Sequence, residues 1–304
     1  MENQRENADL LAALSDGMAD AVEKVGASVV RVHGRRRHSG SGVVYEPGLV
    51  LTSSHVVERE EDLSVETGDG RKLAARFVGR DPSTDLAVLR VEDLDAGAAA
   101  FAEGEPRIGQ LALAVGSRAR GDKHRATLGV VSSVGGPMRT WRGGRVERYI
   151  QTDATPYPGF SGGPLIDARG NVLGILTSGF GRGAAFAIPA ALARRVADSL
   201  AERGSVRRGY LGILSQPVRL PDGGRTGLTQ RGGLLVVGVE DGSPAGNGGL
   251  IVGDILATLD GQPVEDTDDL LTLLTGDRVG RSVPVGVVRG GELMTLEVSV
   301  GERD

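Results

Sequence analysis

Between residues 26 and 203 the apolar positions fall in short runs, and glycine and polar residues separate them. The runs at 28–33, 41–45, 49–52, 73–78, 86–91, 111–115, 127–134, 146–151, 172–177 and 184–188 have the length and β-branched content of strands. Glu46-Pro47-Gly48 places Pro and Gly where a type II turn needs them, and Asp69-Gly70 is a hairpin signal. Repeated short strands with glycine turns predict a barrel or a sandwich. Two helices frame this region. Leu10, Leu11, Leu14, Met18, Ala21, Val22 and Val25 recur at helical spacing over 8–25. That stripe packs either on its own barrel or on a neighbouring subunit. Ala190 to Glu202 predicts a closing helix, with Pro189 suited to its start.

Residues 204–209 read as a linker, and a second pattern starts at Tyr210-Leu211-Gly212-Ile213. It holds strands around 233–239 and 255–259, a helix over 267–275 capped by Asp266 or Thr267, and a hairpin through Arg289-Gly290-Gly291-Glu292. The expected division is therefore an N-terminal helical segment 1–25, a β-rich domain 26–203 and a smaller domain 204–304.

The 304 residues suffice for two domains of ordinary size. Lys and Arg number 35 against 40 Asp and Glu. The last 101 residues carry 9 Arg against 14 acids, which leaves the remainder balanced. Neither part has the basic excess of a nucleic-acid binder. Glycine, 48 of 304, is about twice its usual share, as tight turns require. Aromatic residues are 3%, so the core must be aliphatic. With no cysteine, disulfides, thiolate catalysis and cysteine-based zinc sites are excluded. Met1-Glu2-Asn3-Gln4-Arg5 has neither the basic region nor the apolar stretch of a signal peptide. No apolar run is long enough to span a membrane. These features lead to the expectation of a cytoplasmic protein, the alternative being an exported or tethered parent whose targeting segment has been removed.

One stretch carries a chemical signature. Thr155-Pro156-Tyr157-Pro158-Gly159-Phe160-Ser161-Gly162-Gly163-Pro164 sets a serine among glycines in a proline-bounded loop. A serine attacks a carbonyl when its Oγ is exposed and amide donors lie near the developing oxyanion. Glycine lets a loop curl so that successive N–H groups converge. The amides of Gly159, Phe160 and Ser161 are thus the candidate oxyanion donors. Such a nucleophile needs a base and a group that orients it. Of His33, His38, His55 and His124, His55 follows an apolar strand and three small polar residues, Thr52-Ser53-Ser54. Asp85 opens the apolar strand 86–91 and is the preferred orienter. Asp81, the competitor, precedes Pro82 and reads as the start of a turn. Arg35-Arg36-Arg37, flanked by His33 and His38, reads as a solvated hairpin tip rather than a metal site. Gly179-Phe180-Gly181-Arg182-Gly183 precedes a strand rather than a helix, which argues against a phosphate loop. No metal or cofactor is expected.

Thr52-Ser53-Ser54-His55-Val56-Val57, Asp85-Leu86-Ala87-Val88-Leu89 and Gly159-Phe160-Ser161-Gly162-Gly163-Pro164-Leu165 together resemble the HtrA/DegP family of trypsin-like serine proteases. The resemblance runs from about Ala21 to Val300. It implies a mostly β chain: a chymotrypsin-like double β-barrel protease domain and then a small PDZ domain. It implies His55 as general base, Asp85 as its orienter and Ser161 as nucleophile. Thr155, Pro156, Leu176 and Gly179 would line the pocket for the side chain before the cut. In the PDZ domain, at the peptide site that opens with Tyr210, the amides of Leu211, Gly212 and Ile213 would hold a peptide's C-terminal carboxylate, and Ile213, Leu270 and Leu274 would line the pocket for its last side chain, the alternative being that the leucines are core. The implied partners are unfolded polypeptides, C-terminal peptides and copies of the same chain, most simply in a trimer. The implied activity is ATP-independent endoproteolysis. Phe160 stands where the family has Asn, and Tyr157-Pro158 where it has Asn-Pro. That departure keeps a second reading open, of a chaperone or peptide sensor without proteolysis.

Overall fold

The computed structural model describes residues 2–303 apart from 36–37, 118–123, 137, 140–144, 147, 181–184, 207, 221–227, 229 and 275–277. Arg36-Arg37 of the basic tip, residues 181–183 of the glycine loop, and positions 147, 184 and 275 of expected strands and helix lie outside the described residues. The chain divides into two compact units, Met1–Val206 and Arg207–Asp304.

The first unit opens with α1 (Glu2–Gly26). Its stripe is split between two environments. Ala21 and Val25 are buried, with Met18 and Val22 packed beside them, while Leu10, Leu11 and Leu14 are 68%, 69% and 43% exposed. Then come β1 (Val29–His33), β2 (Gly40–Glu46), β3 (Leu49–Ser53), β4 (Leu63–Glu66), β5 (Lys72–Asp81) and β6 (Leu86–Val91), which close into a barrel in the order β1-β2-β3-β6-β5-β4. Gly48 turns β2 into β3 at φ +72° and Gly70 turns β4 into β5 at φ +85°, both in the left-handed region that glycine tolerates.

A second barrel follows. It uses β7 (Leu111–Gly116) and β8 (Arg125–Gly135). A small ribbon, β9 (Met138–Arg139) paired with β10 (Arg145–Val146), comes next. Then β11 (Tyr149–Thr152), β12 (Pro164–Ile166), β13 (Val172–Thr177) and β14 (Ala185–Pro189) complete a closed sheet ordered β11-β14-β13-β12-β7-β8. The run read as one strand over 146–151 is therefore two elements on different sheets. α2 (Ala190–Arg203) closes the unit, and Gly204 ends it in the left-handed conformation with its amide on Leu200 O at 2.8 Å. Val206 packs on the first unit's core. The division thus falls after Val206 rather than at 203, because the helix cap and its apolar contact belong to the barrels.

Alternation sorts the strand residues into layers. In β6, Ala87 and Leu89 face the interior of the first barrel, while Leu86 and Val88 join Val43, Tyr45 and Leu51 in the layer shared with Leu113, Val115, Ile166, Ile175 and Ile188. This shared aliphatic layer holds the ends of β3 and β6 against the loop before β12.

The second unit contains β15 (Arg208–Tyr210), β16 (Ile213–Arg219), β17 (Gly232–Val239), α3 (Pro244–Asn247), β18 (Ile255–Leu259), β19 (Gln262–Pro263), α4 (Thr267–Leu273), β20 (Ser282–Arg289), β21 (Glu292–Ser299) and β22 (Gly301–Arg303). Its main sheet runs β16-β17-β18-β20-β21, with β19 beside β18 and a separate β15–β22 ribbon. α4 is capped by Asp266, whose Oδ1 accepts the Asp269 amide at 2.8 Å, and Asp269 Oδ2 accepts the Glu265 amide at 2.9 Å. The core is aliphatic: Leu211, Leu234, Val236, Leu256, Leu259, Val285, Val287 and Val298.

Candidate active site

Asp85 sits just before β6 at φ +57°. Non-glycine residues adopt this region infrequently, aspartate more readily than most. The conformation turns the carboxylate back onto β3's end. Asp85 Oδ1 accepts the His55 amide at 2.9 Å, and Oδ2 accepts His55 Nδ1–H at 2.5 Å. Asp85 O accepts the Ser54 amide at 2.8 Å, so backbone and side chain together fix the histidine. Both residues are buried. Asp81 is used elsewhere: its carboxylate accepts the Ser83 and Thr84 amides at 3.1 and 3.3 Å and the Thr84 hydroxyl at 2.8 Å. It closes the turn that leads into Asp85.

The serine loop comes from the second barrel. Gly159 and Gly162 have φ of +96° and +84°. A Cβ on Gly162 would lie 2.2 Å from Ser41 O and 2.3 Å from Thr52 Oγ1, so this glycine serves both conformation and close approach. The Ser41 amide donates to Ser161 O at 2.9 Å, and Ser41 Oγ donates to Gly159 O at 2.6 Å. These bonds fasten the loop to β2 of the first barrel. Among the described residues, the amides of Gly159 and Ser161 meet no acceptor, whereas the Phe160 amide donates to Tyr157 O at 3.0 Å. Phe160 is thus removed from the expected donor set: its amide closes a turn, and its ring, 1% exposed, packs inside the second barrel and edge-on to Tyr157.

Two residues from the stretch 176–179, expected only as a pocket wall, complete the geometry. Thr177 Oγ1 donates to Asp85 Oδ2 at 2.5 Å. Ser178 Oγ lies 3.1 Å from His55 Nε2 and 3.2 Å from Ser161 Oγ. Ser161 therefore bonds to Ser178, and no direct hydrogen bond joins it to His55. The signal was the sequence Leu176-Thr177-Ser178, in which hydroxyls end an apolar strand much as Thr52-Ser53-Ser54 end β3. Of the four residues expected to line the specificity pocket, Thr155 and Pro156 are exposed and Gly179 is half-buried. Leu176 is not a pocket wall: it is 2% exposed within the second barrel's core, because alternation along β13 turns it inward.

In the second unit, Gly212 has φ +77° and a Cβ there would lie 2.3 Å from Ser243 Cβ. Leu211 O and Gly212 O accept the amides of Ala245 and Glu240 at 2.8 and 2.9 Å. Their own amides meet no acceptor among the described residues. The Tyr210 hydroxyl donates to Glu240. Ile213 is half-buried at the start of β16, which among the described residues has one sheet neighbour and so an open edge. Leu270 and Leu274 are buried in the core with Leu211, so they pack the domain rather than stand free for a ligand.

Two six-stranded barrels with an aspartate-held histidine facing a glycine-loop serine define a trypsin-like serine peptidase. Residues 40–175 match the trypsin-like peptidase domain model, and residues 209–300 match the PDZ domain model. The structure is similar to the HtrA-type protease AlgW with a decapeptide, with a TM-score of 0.78 and 31% identity over 94% of this chain and 99% of that one. It is also similar to a serine endoprotease from Yersinia pestis, with a TM-score of 0.75 and 31% identity over 94% and 98% of the two chains. The chain belongs to the HtrA-type serine protease family.

Curated relatives named "Probable periplasmic serine endoprotease DegP-like" include one from Pseudomonas putida, 37% identical over 86% of this chain, and one from Rhizobium meliloti, 38% identical over 88%. The chain spans 56% and 54% of their respective lengths. Their names point to an exported protein and overturn the cytoplasmic expectation. An export signal is a segment apart from the fold, and a cysteine-free chain suits oxidising and reducing compartments alike. Among the described residues, no helix is long and apolar enough to cross a membrane.

Proposed function

We propose that this chain is an exported, ATP-independent serine endopeptidase that cuts unfolded or damaged polypeptides. Ser161 is the nucleophile, His55 the base that receives its proton, and Asp85 the group that orients His55. The amides of Gly159 and Ser161 stabilise the oxyanion, each donor contributing about 3–4 kcal/mol to the transition state. The observation that carries this reading is the convergence of Asp85, His55 and Ser161 at the seam between two barrels, beside two amides that meet no acceptor among the described residues. The PDZ domain binds C-terminal peptides: the open edge of β16 supports strand addition, and the amides of Leu211 and Gly212 support carboxylate capture. The exposed Leu10, Leu11 and Leu14 support assembly into a homo-oligomer, with a trimer the form we favour.

Labelling with a fluorophosphonate probe and digestion of casein, each with and without a C-terminal peptide, test this reading. Wild type should label and cut, and Ser161→Ala should do neither while keeping its circular dichroism. A silent wild type under every condition would favour the chaperone reading, which the tied Phe160 amide and the absent Ser161–His55 bond keep in view.

A further inference from the structure

His55 lies in a single 3-10 turn, Ser54–Val56, too short to satisfy its own carbonyls. The Val57 amide donates to Ser54 O at 3.0 Å. The bond that would follow, from the Glu58 amide to His55 O, is diverted: the Glu58 amide donates to Gly34 O at 3.1 Å. A buried carbonyl without a partner is costly, and Arg35 supplies the partner. Arg35 Nε donates to His55 O at 2.7 Å, and Nη2 donates to the same oxygen. Arg35 Nε also lies 3.2 Å from Glu58 Oε1, an ion pair that steers the guanidinium. Gly34 permits the approach, since a Cβ there would lie 2.6 Å from Val56 O. The basic tip expected to be solvated thus turns Arg35 onto the turn that carries the base, its side chain only 25% exposed.

Resting on the endopeptidase reading above, we propose that Arg35 is a positioning residue for His55, a guanidinium clamp on the peptide of the general base. Asp85 holds the His55 amide and Nδ1. Asp85 alone leaves the peptide between His55 and Val56 free to rotate, and any rotation swings the ring and its Nε2. Arg35 fixes the carbonyl of that peptide, so amide, carbonyl and ring are held from two sides. The Ser161 proton then meets Nε2 in one geometry, and small misplacements of a reacting group cost large factors in rate. The two-donor fork on a single oxygen is a use of arginine that a point charge does not reproduce. Arg35 acts through His55, and the connection between β1 and β2 becomes a support of the active site.

Steady-state kinetics on a peptide substrate and proton NMR test the clamp in the full chain. The samples are wild type, Arg35→Lys, Arg35→Ala, and Arg35→Ala with millimolar guanidinium chloride or, as control, urea at the same concentration. Loss of a hydrogen bond from a charged donor lowers kcat at least about tenfold in Arg35→Ala. KM should stay within about twofold, since the clamp acts on the chemical step. Arg35→Lys keeps the charge and a single donor, so it should fold whatever Arg35→Ala does and lie between the two in kcat. Guanidinium should recover several-fold in kcat and urea nothing, a pattern that a loss of fold does not give. The low-field signal of His55 Nδ1–H, in its bond to Asp85, should shift or broaden in Arg35→Ala and return with guanidinium. Wild-type kcat in both variants, a loss in Arg35→Ala that guanidinium does not recover, or an undisturbed Nδ1–H signal overturns the clamp and leaves the endopeptidase reading standing. A wild type that neither cuts nor labels overturns the endopeptidase reading, and the NMR signal still decides whether Arg35 holds His55.

Discussion

Thr177 donates its hydroxyl proton to Asp85 Oδ2 at 2.5 Å, the oxygen that also faces His55 Nδ1. The carboxylate is thereby held from both sides in a buried setting. A hydrogen bond to a charged group is worth about 1.5–3 kcal/mol. If that is expressed in the transition state, Thr177→Val lowers kcat/KM by about 10- to 100-fold. Thr177→Ser keeps the donor and should stay near wild type. Steady-state kinetics on a peptide substrate decide this, and unchanged kinetics in Thr177→Val would show that Asp85 needs no second support.

Phe160, 1% exposed, fills the core of the second barrel. Truncating a buried Phe to Ala costs about 3–5 kcal/mol. Phe160→Ala should therefore lower the first unit's denaturation midpoint strongly, and it should slow labelling of Ser161 because the loop loses its anchor. A variant as stable as wild type would mean that the barrel collapses onto the space.

We expect the proposed pocket to favour uncharged side chains. Thr155, Pro156 and Gly179 bring no carboxylate to the proposed pocket. An unpaired charge taken into a protein interior costs several kcal/mol, whereas an aliphatic side chain gains about 1.5–3 kcal/mol. Cuts in casein mapped by mass spectrometry should fall after Val, Ala or Leu and rarely after Lys or Arg. A majority of cuts after basic residues would overturn the pocket assignment and leave the triad untouched.

Asp254 is fully buried and takes two bonds from Arg289, Nε to Oδ1 at 2.7 Å and Nη2 to Oδ2 at 2.8 Å, and one from the Ile251 amide at 2.9 Å. Burial by itself raises its pKa, but Arg289 and the amide outweigh burial and hold it below the ordinary carboxylate value. The folded domain thus binds this proton less readily than the unfolded chain does. The stabilisation is full above the unfolded pKa, about 3.9, and is lost as pH falls through the lower folded value. Protection factors of β18 and β20 amides in the full chain, with exchange rates corrected for the intrinsic pH dependence, should fall on acidification, and less steeply in Asp254→Asn. Arg289→Met should weaken protection even at neutral pH, since it leaves a buried carboxylate without its partner.

The sequence by itself determined the architecture and much of the site. Short aliphatic runs broken by glycine dictated strands, since only closed or stacked sheets bury so many β-branched faces. The apolar run after Asp85 and the Pro82 after Asp81 favour Asp85 as orienter, and the structure puts Asp81 in the turn and Asp85 on His55. Short elements were harder to read. β4 and β12 have four and three residues, too few for a period to show.

Tertiary structure decided what depends on direction and neighbours. Leu176, Leu270 and Leu274 carry the same side chain as a pocket wall would, and only the facing of β13 and α4 turned them into core. Phe160 reads as one more loop residue until the second barrel closes over its ring. Thr177 and Ser178 lie 92 and 123 residues from Asp85 and His55, respectively, in the chain. No local pattern can place those hydroxyls between acid, base and nucleophile, because the contact exists only after two barrels pack across a shared apolar layer.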